Sequence, residues 1–206
     1  MTTSTTVAII VASYLVGCVS AGYYLVKICR GTDVREHGSG NVGARNVGRL
    51  LGPAGFAVTF LVDMAKGMGA VWLARRFGLD LNGTMLAALA AVAGHIWPVQ
   101  LRLRGGKGVC TSLGALLMLD YRLVLIGLCV LIPLKVLTHQ SVLSGMVVFA
   151  LLPLIAFLLG HPLGVVSGLG VLAVVVVTAH RANLREFLHH RREAAERYLA
   201  TKGVSR

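Results

Sequence analysis

Long apolar runs constrain this chain more than any other feature of its sequence. Of its 206 residues, 56% are hydrophobic and only 14% are charged, whereas a soluble domain carries about 25% charged residues. Four runs approach the roughly 20 residues that a helix needs to cross a bilayer, and others are shorter. Backbone groups in lipid must be satisfied within helices or a closed barrel, and these runs do not alternate as barrel strands do. The sequence therefore predicts an all-α integral membrane protein.

The runs predict seven transmembrane helices in a single domain, residues 1–206. The expected spans are about 7–28, 53–74, 84–101, 109–119, 123–137, 142–159 and 163–178. The 109–119 run is short for a crossing, which leaves six spans as an alternative. The charged tail from about residue 180 carries Leu184, Phe187 and Leu188, which suit the apolar side of an amphipathic helix on the membrane surface.

Basic residues are divided unequally between the two ends of the predicted bundle. With seven crossings, sixteen of the twenty Lys and Arg residues lie on one side, three on the other, and Lys66 within a span. Because positively charged loops stay cytoplasmic, we expect the N-terminus outside and the C-terminus inside. Six crossings would move the tail and weaken this asymmetry. The net charge of +12 indicates membrane lipids and anionic substrates as partners, with no nucleic acid and no obligate protein partner.

Two glycine-rich loops are typical of phosphate binding. They are HGSGNVGARNVGR at residues 37–49 and RGGKGVCT at 104–111. Glycine lets backbone N–H groups approach an anion closely, Ser39 and the asparagines add neutral donors, and Arg49 adds a bidentate cation. Lys107 adds a point charge, although the P-loop pattern is absent. The alternatives are a flexible loop whose arginines fix topology and a helix break with an anchoring lysine.

Further polar residues lie inside or beside the predicted spans. Asp63 and Lys66 are three residues apart on one helical face, where charges are costly. They either position groups of the loops or form an ion pair that braces the bundle, and we favour the ion pair. His95 is either a base or ligand or, more commonly for such a histidine, a residue hydrogen-bonded within the bundle. His180 and Asn183 follow the last span on one face, as site residues or as an interfacial cap.

Taken in order, these motifs resemble the bacterial acyl-phosphate:glycerol-3-phosphate acyltransferases, the PlsY family. The similarity lies in SGNxGAxNxxR, DxxKG, GH…P…GGKGVxT and HxxN, and it covers roughly residues 10–185. It implies a seven-helix enzyme of the bacterial inner membrane with its active site facing the cytoplasm. The implied reaction transfers a fatty acyl group from acyl phosphate to the 1-position of glycerol 3-phosphate, giving lysophosphatidic acid and phosphate in phospholipid biosynthesis. It implies no metal and no cofactor.

The resemblance and the residue types together give the expected site residues. The expected catalytic residues are Ser39, Asn41, Arg49, Lys107, His180 and Asn183. The residues expected to bind substrate phosphate are Gly40, Gly43, Arg45, Gly105, Gly106, Gly108, Thr111, Ser141 and Ser144. The expected supporting residues are Asp63, Lys66 and His95.

The sequence departs from the family pattern at several positions. Arg45 stands where threonine is usual, and Cys110 where alanine is usual. The family segment TRYVSLxS reads THQSVLSG here, with His139, Gln140 and Val142 in place of arginine, tyrosine and serine. Ser141 or Ser144 is the expected substitute for the lost serine.

The pattern that follows HxxN in the family is not kept after Asn183. Glu186 and His190 occupy its arginine and glycine positions, and Glu193 is one residue late. The departures keep two alternatives open: a divergent non-catalytic paralogue, and a transporter of anions or lipid phosphates that uses the same loops. The internal repeat common in transporters is not evident.

Overall fold

The fold is a bundle of helices joined by short connections and two longer loops. The computed structural model describes residues 2–185 together with residues 187 and 189. All regular elements in these residues are helical. The α-helices are α1 (Thr3–Cys18), α2 (Ala21–Arg30), α3 (Ala44–Arg76), α4 (Leu81–Ile96), α5 (Val109–Leu119), α6 (Tyr121–Thr138), α7 (Ser141–Leu158) and α8 (Leu163–Ala179). Two 3₁₀ turns, Val34–Glu36 and Val99–Leu101, precede the glycine-rich stretches.

Five helical stretches are long and apolar enough to cross a membrane. They are Thr3–Arg30, which joins α1 and α2, then Ala44–Arg76, Leu81–Leu101, Tyr121–Thr138 and Ser141–Leu158. The α5 and α8 helices are apolar but shorter. The prediction of an all-helical membrane protein is therefore confirmed, and each predicted run contains a helix.

Helical residues continue after α8 through 181–185. The tail departures at Glu186, His190 and Glu193, and Leu188 of the predicted amphipathic face, lie outside the described residues.

The first predicted span is broken at Val19 and Ser20, where α1 ends and α2 begins. The break leaves carbonyl groups without a helical donor. Gln100 Nε2 and Ser20 Oγ donate to the Cys18 carbonyl, and Lys66 Nζ donates to the Val19 carbonyl at 2.7 Å. Such donors replace the lost helical hydrogen bonds, as irregular backbone at membrane depth requires.

The helix α3 contains a second interruption, at Gly52. Gly52 has φ 72° and ψ −167°, and Pro53 follows it. Proline lacks an N–H and is well suited to the first turn of a helix, so the helix restarts at Pro53, where the sequence predicts the span to begin. The residues before Gly52 form a separate helical segment that belongs to the first glycine-rich loop.

Glycines bring two helix pairs into backbone contact. The helix α1 packs on α4 at Gly17 and Gly94, and α3 packs on α5 at Gly67 and Gly114. A Cβ atom at any of these positions would overlap a backbone carbonyl of the facing helix. Small residues are typical of membrane helix interfaces because they permit this close approach.

Asp120 joins two turns that lie between helices. Its Oδ2 accepts from His161, in the α7–α8 turn, at 3.0 Å and from Arg122 at 2.7 Å. These contacts, with that of Arg122 the largest, lower the pKa of Asp120 to about 2. The residue therefore ties the α5–α6 turn to the α7–α8 turn.

Candidate active site

One cavity, of about 420 Å³, collects most of the predicted site residues. Those that line it are Ser39, Asn41, Gly43, Arg45, Arg49, Asp63, His95, Lys107, Gly108, Ser141, His180 and Asn183. The apolar lining includes Phe56, Phe60, Val142, Met146, Phe149 and Val176. The cavity thus joins residues from four separate parts of the chain and has both a cationic and an apolar side.

Other predicted residues do not line the cavity: Gly40, Lys66, Gly105, Gly106, Thr111 and Ser144. Ser144 Oγ donates to the Gln140 carbonyl at 2.9 Å and lies 3.2 Å from Thr138 Oγ1, so it closes the α6–α7 turn. Thr111 is fully buried against α3. A direct contact between these residues and substrate phosphate stays a prediction.

The first glycine-rich loop is organised by the buried amide of Asn46. Its Nδ2 donates to the carbonyls of Val34, His37 and Asn41 at 3.1, 2.9 and 2.9 Å. Its Oδ1 accepts from the Ser39 N–H at 3.0 Å. Sequence reasoning did not single out Asn46, although an asparagine within a glycine-rich motif is the signal for such a side-chain-to-backbone network.

The first glycine-rich loop leads into α3, and the first residues of that helix line the cavity. Gly38 and Gly40 have φ of 58° and 67°, a region that glycine adopts without strain. Asn41 Oδ1 then accepts from the Gly43 N–H at 2.7 Å, and Gly43 is the residue before the first turn of α3. The Gly43 N–H is therefore occupied, and the Asn46 N–H donates to the Gly43 carbonyl at 3.0 Å, so the donors left for an anion in the first α3 turn are the N–H groups of Ala44 and Arg45.

Arg35 links the first loop to the segment that leads into the second. It forms a bidentate pair with Asp33, at 2.6 Å for the closest contact, and its Nη1 donates to the Leu101 carbonyl at 2.9 Å. Its guanidinium also lies over the Tyr23 ring, 5.2 Å from the centroid. The hydrogen bond from Arg35 lowers the pKa of the Asp33 carboxyl, so the pair stays ionised at neutral pH.

The second glycine-rich loop folds back on the end of α4. The N–H groups of Gly105 and Gly106 donate to the carbonyls of Ile96 and His95 at 3.0 and 2.9 Å. Gly108, with φ 84°, then begins α5. Lys107, between them, donates from Nζ to Asn183 Oδ1, so the loop reaches across the cavity to the residues after α8.

The electrostatics of the cavity favour anions. The N-terminal ends of α3, α5 and α7 all lie at its lining, and a helix N-terminus presents unpaired N–H groups and a partial positive charge. Arg45, Arg49 and Lys107 add three full charges. Among the described lining residues, one side chain is acidic, that of Asp63. Its charge is balanced by Lys66, whose Nζ lies 2.8 Å from Asp63 Oδ1.

The predicted ion pair between Asp63 and Lys66 is therefore confirmed. His95 is hydrogen-bonded within the bundle, since Lys66 Nζ lies 2.7 Å from its Nδ1.

His180 is held as a neutral imidazole. Its Nδ1–H donates to the Val176 carbonyl at 2.8 Å, which leaves Nε2 as a proton acceptor. Burial lowers the pKa of His180, and the nearby charges of Lys107 and Arg45 lower it further against the raising effect of the Val176 hydrogen bond. This side chain can accept a proton at pH 7.

Comparisons with known proteins agree with this geometry. The family model for glycerol-3-phosphate acyltransferase matches residues 7–190. The chain is 44% identical over 180 residues to glycerol-3-phosphate acyltransferase 1 of Desulfitobacterium hafniense (strain Y51), covering 87% of this chain and 89% of the relative. It is 39% identical over 188 residues to the glycerol-3-phosphate acyltransferase of Clostridioides difficile (strain 630), covering 89% and 92%.

Two crystal structures of PlsY (YgiH), an integral membrane glycerol 3-phosphate acyltransferase, share the fold. The glycerol 3-phosphate form matches with a TM-score of 0.83 at 30% identity, covering 91% of this chain and 94% of that one. The lysophosphatidic acid form matches with a TM-score of 0.81 at 29% identity, covering 91% and 93%. This chain belongs to the glycerol-3-phosphate acyltransferase family and is an acyltransferase enzyme that forms lysophosphatidic acid, the acyl ester of glycerol 3-phosphate.

Proposed function

We propose that the chain takes its acyl group from an acyl phosphate and transfers it to the 1-hydroxyl of glycerol 3-phosphate within the cavity. The observation that carries this proposal is the convergence of three helix N-termini with Arg45, Arg49 and Lys107 beside an apolar wall. Two phosphorylated substrates need that much positive potential at one place. The PlsY crystal form with glycerol 3-phosphate supports the choice of acceptor.

The two phosphates occupy different parts of the cavity in this proposal. The phosphate of glycerol 3-phosphate pairs with Arg49 and Lys107, and Ser39 and Asn183 lie nearby as neutral donors. Arginine suits this role because its planar group binds phosphate in a bidentate manner. The acyl phosphate lies against the backbone that follows Asn41. The N–H groups of the first α3 turn bind the acyl phosphate there. They also stabilise the negative charge that develops on its carbonyl oxygen during the reaction.

Little covalent assistance is needed because an acyl phosphate is a mixed anhydride with a good leaving group. The 1-hydroxyl oxygen attacks the acyl carbon, an ester C–O bond forms, and the bond to the phosphate oxygen breaks. The hydroxyl proton passes to His180 Nε2 or to an oxygen of a substrate phosphate. The protein contributes chiefly by holding both reactants in register. The acyl chain lies along Phe56, Phe60 and Phe149, between helices.

The arrangement of the cavity also supports seven crossings in a single domain. Residues before α3, before α5, at the start of α7 and after α8 all meet there. They share one face of the membrane only if an even number of helices crosses between each pair, which requires the short α5 to cross. With the basic residues on that face, the cavity opens to the cytoplasm and the N-terminus is outside. The membrane is the bacterial cytoplasmic membrane.

The donor is tested by supplying purified enzyme with radiolabelled glycerol 3-phosphate and either palmitoyl phosphate or palmitoyl-CoA. We expect labelled lysophosphatidic acid with palmitoyl phosphate, release of one phosphate per ester formed, and no product with the thioester. Product from palmitoyl-CoA alone would refute the proposed donor. Mapping the ester to the 2-position would refute the proposed acceptor hydroxyl.

A further inference from the structure

We propose that Lys66, although it does not line the cavity, is a positioning residue for acyl transfer that acts through His95 on the loop carrying Lys107. The inference rests on the proposed role of Lys107 in holding the phosphate of glycerol 3-phosphate. It assigns to the buried Asp63–Lys66 pair a task beyond bracing the helices.

The Lys66 ammonium makes three polar contacts, two of them hydrogen bonds and one an ion pair. Its Nζ lies 2.8 Å from Asp63 Oδ1, 2.7 Å from His95 Nδ1 and 2.7 Å from the Val19 carbonyl oxygen. An ammonium group has three N–H donors and no acceptor. Because Lys66 can only donate, His95 Nδ1 is the acceptor, and the ring hydrogen resides on Nε2. The orientation of the imidazole is thereby fixed by a contact from α3.

The fixed ring of His95 supports the second glycine-rich loop. A Cβ atom at Gly106 would overlap the ring edge that carries Nε2, so the backbone of Gly106 lies directly on the imidazole. The Gly106 N–H also donates to the His95 carbonyl at 2.9 Å. A different ring orientation would displace Gly106, and with it the adjacent Lys107, whose ammonium meets Asn183.

An ion pair that only braced the helices would need Asp63 and Lys66 alone, but Lys66 also contacts His95 and the Val19 carbonyl. A hydrogen bond joins Lys66 to the ring on which the loop lies, and Asp63 itself lines the cavity. Lys66 therefore also neutralises a carboxylate that would otherwise repel substrate phosphate. Both effects act on phosphate binding, so loss of Lys66 should raise the KM for glycerol 3-phosphate in addition to its cost to folding.

The test uses the double variant Asp63→Leu/Lys66→Met. Lys66→Met alone leaves a buried unpaired carboxylate and destabilises the fold, whereas replacing a whole buried pair with apolar residues is often neutral for stability. We expect the double variant to recover most of the Tm lost in Lys66→Met but to keep a KM for glycerol 3-phosphate raised by about 10- to 100-fold. Thr59→Val, which removes a buried hydroxyl from the same helix, is the matched control with unchanged KM.

A second test enlarges the side chain at Gly106 and then shortens the side chain at His95, which the new methyl group would meet. Gly106→Ala should lower kcat/KM by about 100-fold, because the new methyl group meets His95. Adding His95→Asn keeps a side-chain oxygen near the Nδ1 position and removes the outer part of the ring, and we expect it to restore at least tenfold. This comparison tests the contact between His95 and the loop, the step through which Lys66 acts, and it does not depend on the folding of the Asp63/Lys66 double variant.

Wild-type KM and kcat in Asp63→Leu/Lys66→Met would overturn the positioning role. Failure of His95→Asn to improve Gly106→Ala would overturn it as well. Neither result touches the proposed function, which is tested on the wild-type enzyme by its acyl donor and by the position of the ester.

Discussion

Replacement of a single atom in the buried side chain of Asn46 should collapse the first glycine-rich loop. Asn46→Asp keeps the shape of the side chain and keeps Oδ1 as the acceptor for the Ser39 N–H. It replaces Nδ2, which donates to three carbonyl groups, with a negatively charged oxygen. The new oxygen would lie about 3 Å from three other oxygens that all need a donor.

The cost follows from these contacts. The donor Nδ2 has two hydrogens shared among three carbonyls, so two hydrogen bonds are lost, at about 1 kcal/mol each. Burying an uncompensated carboxylate beside acceptor groups adds further cost, for a total of about 3–5 kcal/mol. For a chain of this size, 1 kcal/mol corresponds to a Tm change of about 2–4 °C, so the Tm should fall by roughly 10 °C. The KM for glycerol 3-phosphate should rise because Ser39 and the α3 N-terminus lose their support.

Thermal unfolding in detergent and steady-state kinetics with palmitoyl phosphate measure both effects. Asn82→Asp is the matched control, because Asn82 is exposed in the first turn of α4, where an added negative charge is tolerated. Its Tm should change by the equivalent of less than about 0.5 kcal/mol. If Asn46→Asp had the Tm and KM of the wild type, the amide network would not be what shapes the loop.

Three further outcomes are expected from groups in and away from the cavity. The variants Arg49→Ala and Lys107→Ala should each raise the KM for glycerol 3-phosphate and reduce turnover by about 100-fold with little change in Tm. The control is Arg76→Ala, which removes an exposed arginine at the end of α3. Wild-type kinetics in both site variants would refute the assignment. The pKa of His180 lies below its usual 6.5, so the rate should be constant from pH 8 to pH 7 and fall only on further acidification. The variant His180→Gln should lose this fall in rate at acidic pH. An unchanged fall in His180→Gln would exclude His180 as the proton acceptor. Asp120 has a pKa lowered to about 2, so the stability it contributes is present above pH 3.8 and is lost as the pH falls toward 2. Asp120→Asn should therefore lower stability by about 1 kcal/mol at neutral pH and leave KM unchanged, and a raised KM would mean that this turn communicates with the cavity.

The helices could be predicted because lipid imposes a simple rule on sequence. A backbone in a bilayer must satisfy its own hydrogen bonds, so every apolar run had to contain a helix, including the short α5. The break at Val19 was not predictable in this way. Its carbonyl is satisfied by Lys66, 47 residues later in the chain, and composition within the first run gives no sign of that donor.

The site was predictable to the extent that its chemistry lies in local motifs. Glycine-rich loops with Arg49 and Lys107 indicated phosphate binding, the position of His180 and Asn183 on one face after the last span made them candidates, and similarity to a known family gave them a role. The role of Asn46 escaped because its network depends on the folded path of the loop, in which four residues between Val34 and Asn41 return to one amide. The packing of the His95 ring against Gly106 likewise requires the three-dimensional structure, since the two residues share a motif whose pattern gives no sign that they touch.

The charge balance of the cavity explains why an acidic residue can lie in a phosphate site. Arg45, Arg49 and Lys107 face the cavity together with Asp63, and an unpaired carboxylate there would cancel one of the three positive charges. Because Lys66 lies behind Asp63 at 2.8 Å, the pair is neutral as a unit, and the cavity keeps its full positive field for two substrates that carry several negative charges. Apolar replacement of both residues leaves this field unchanged, so the raised KM expected of the double variant comes from loss of the hydrogen bond to His95 alone.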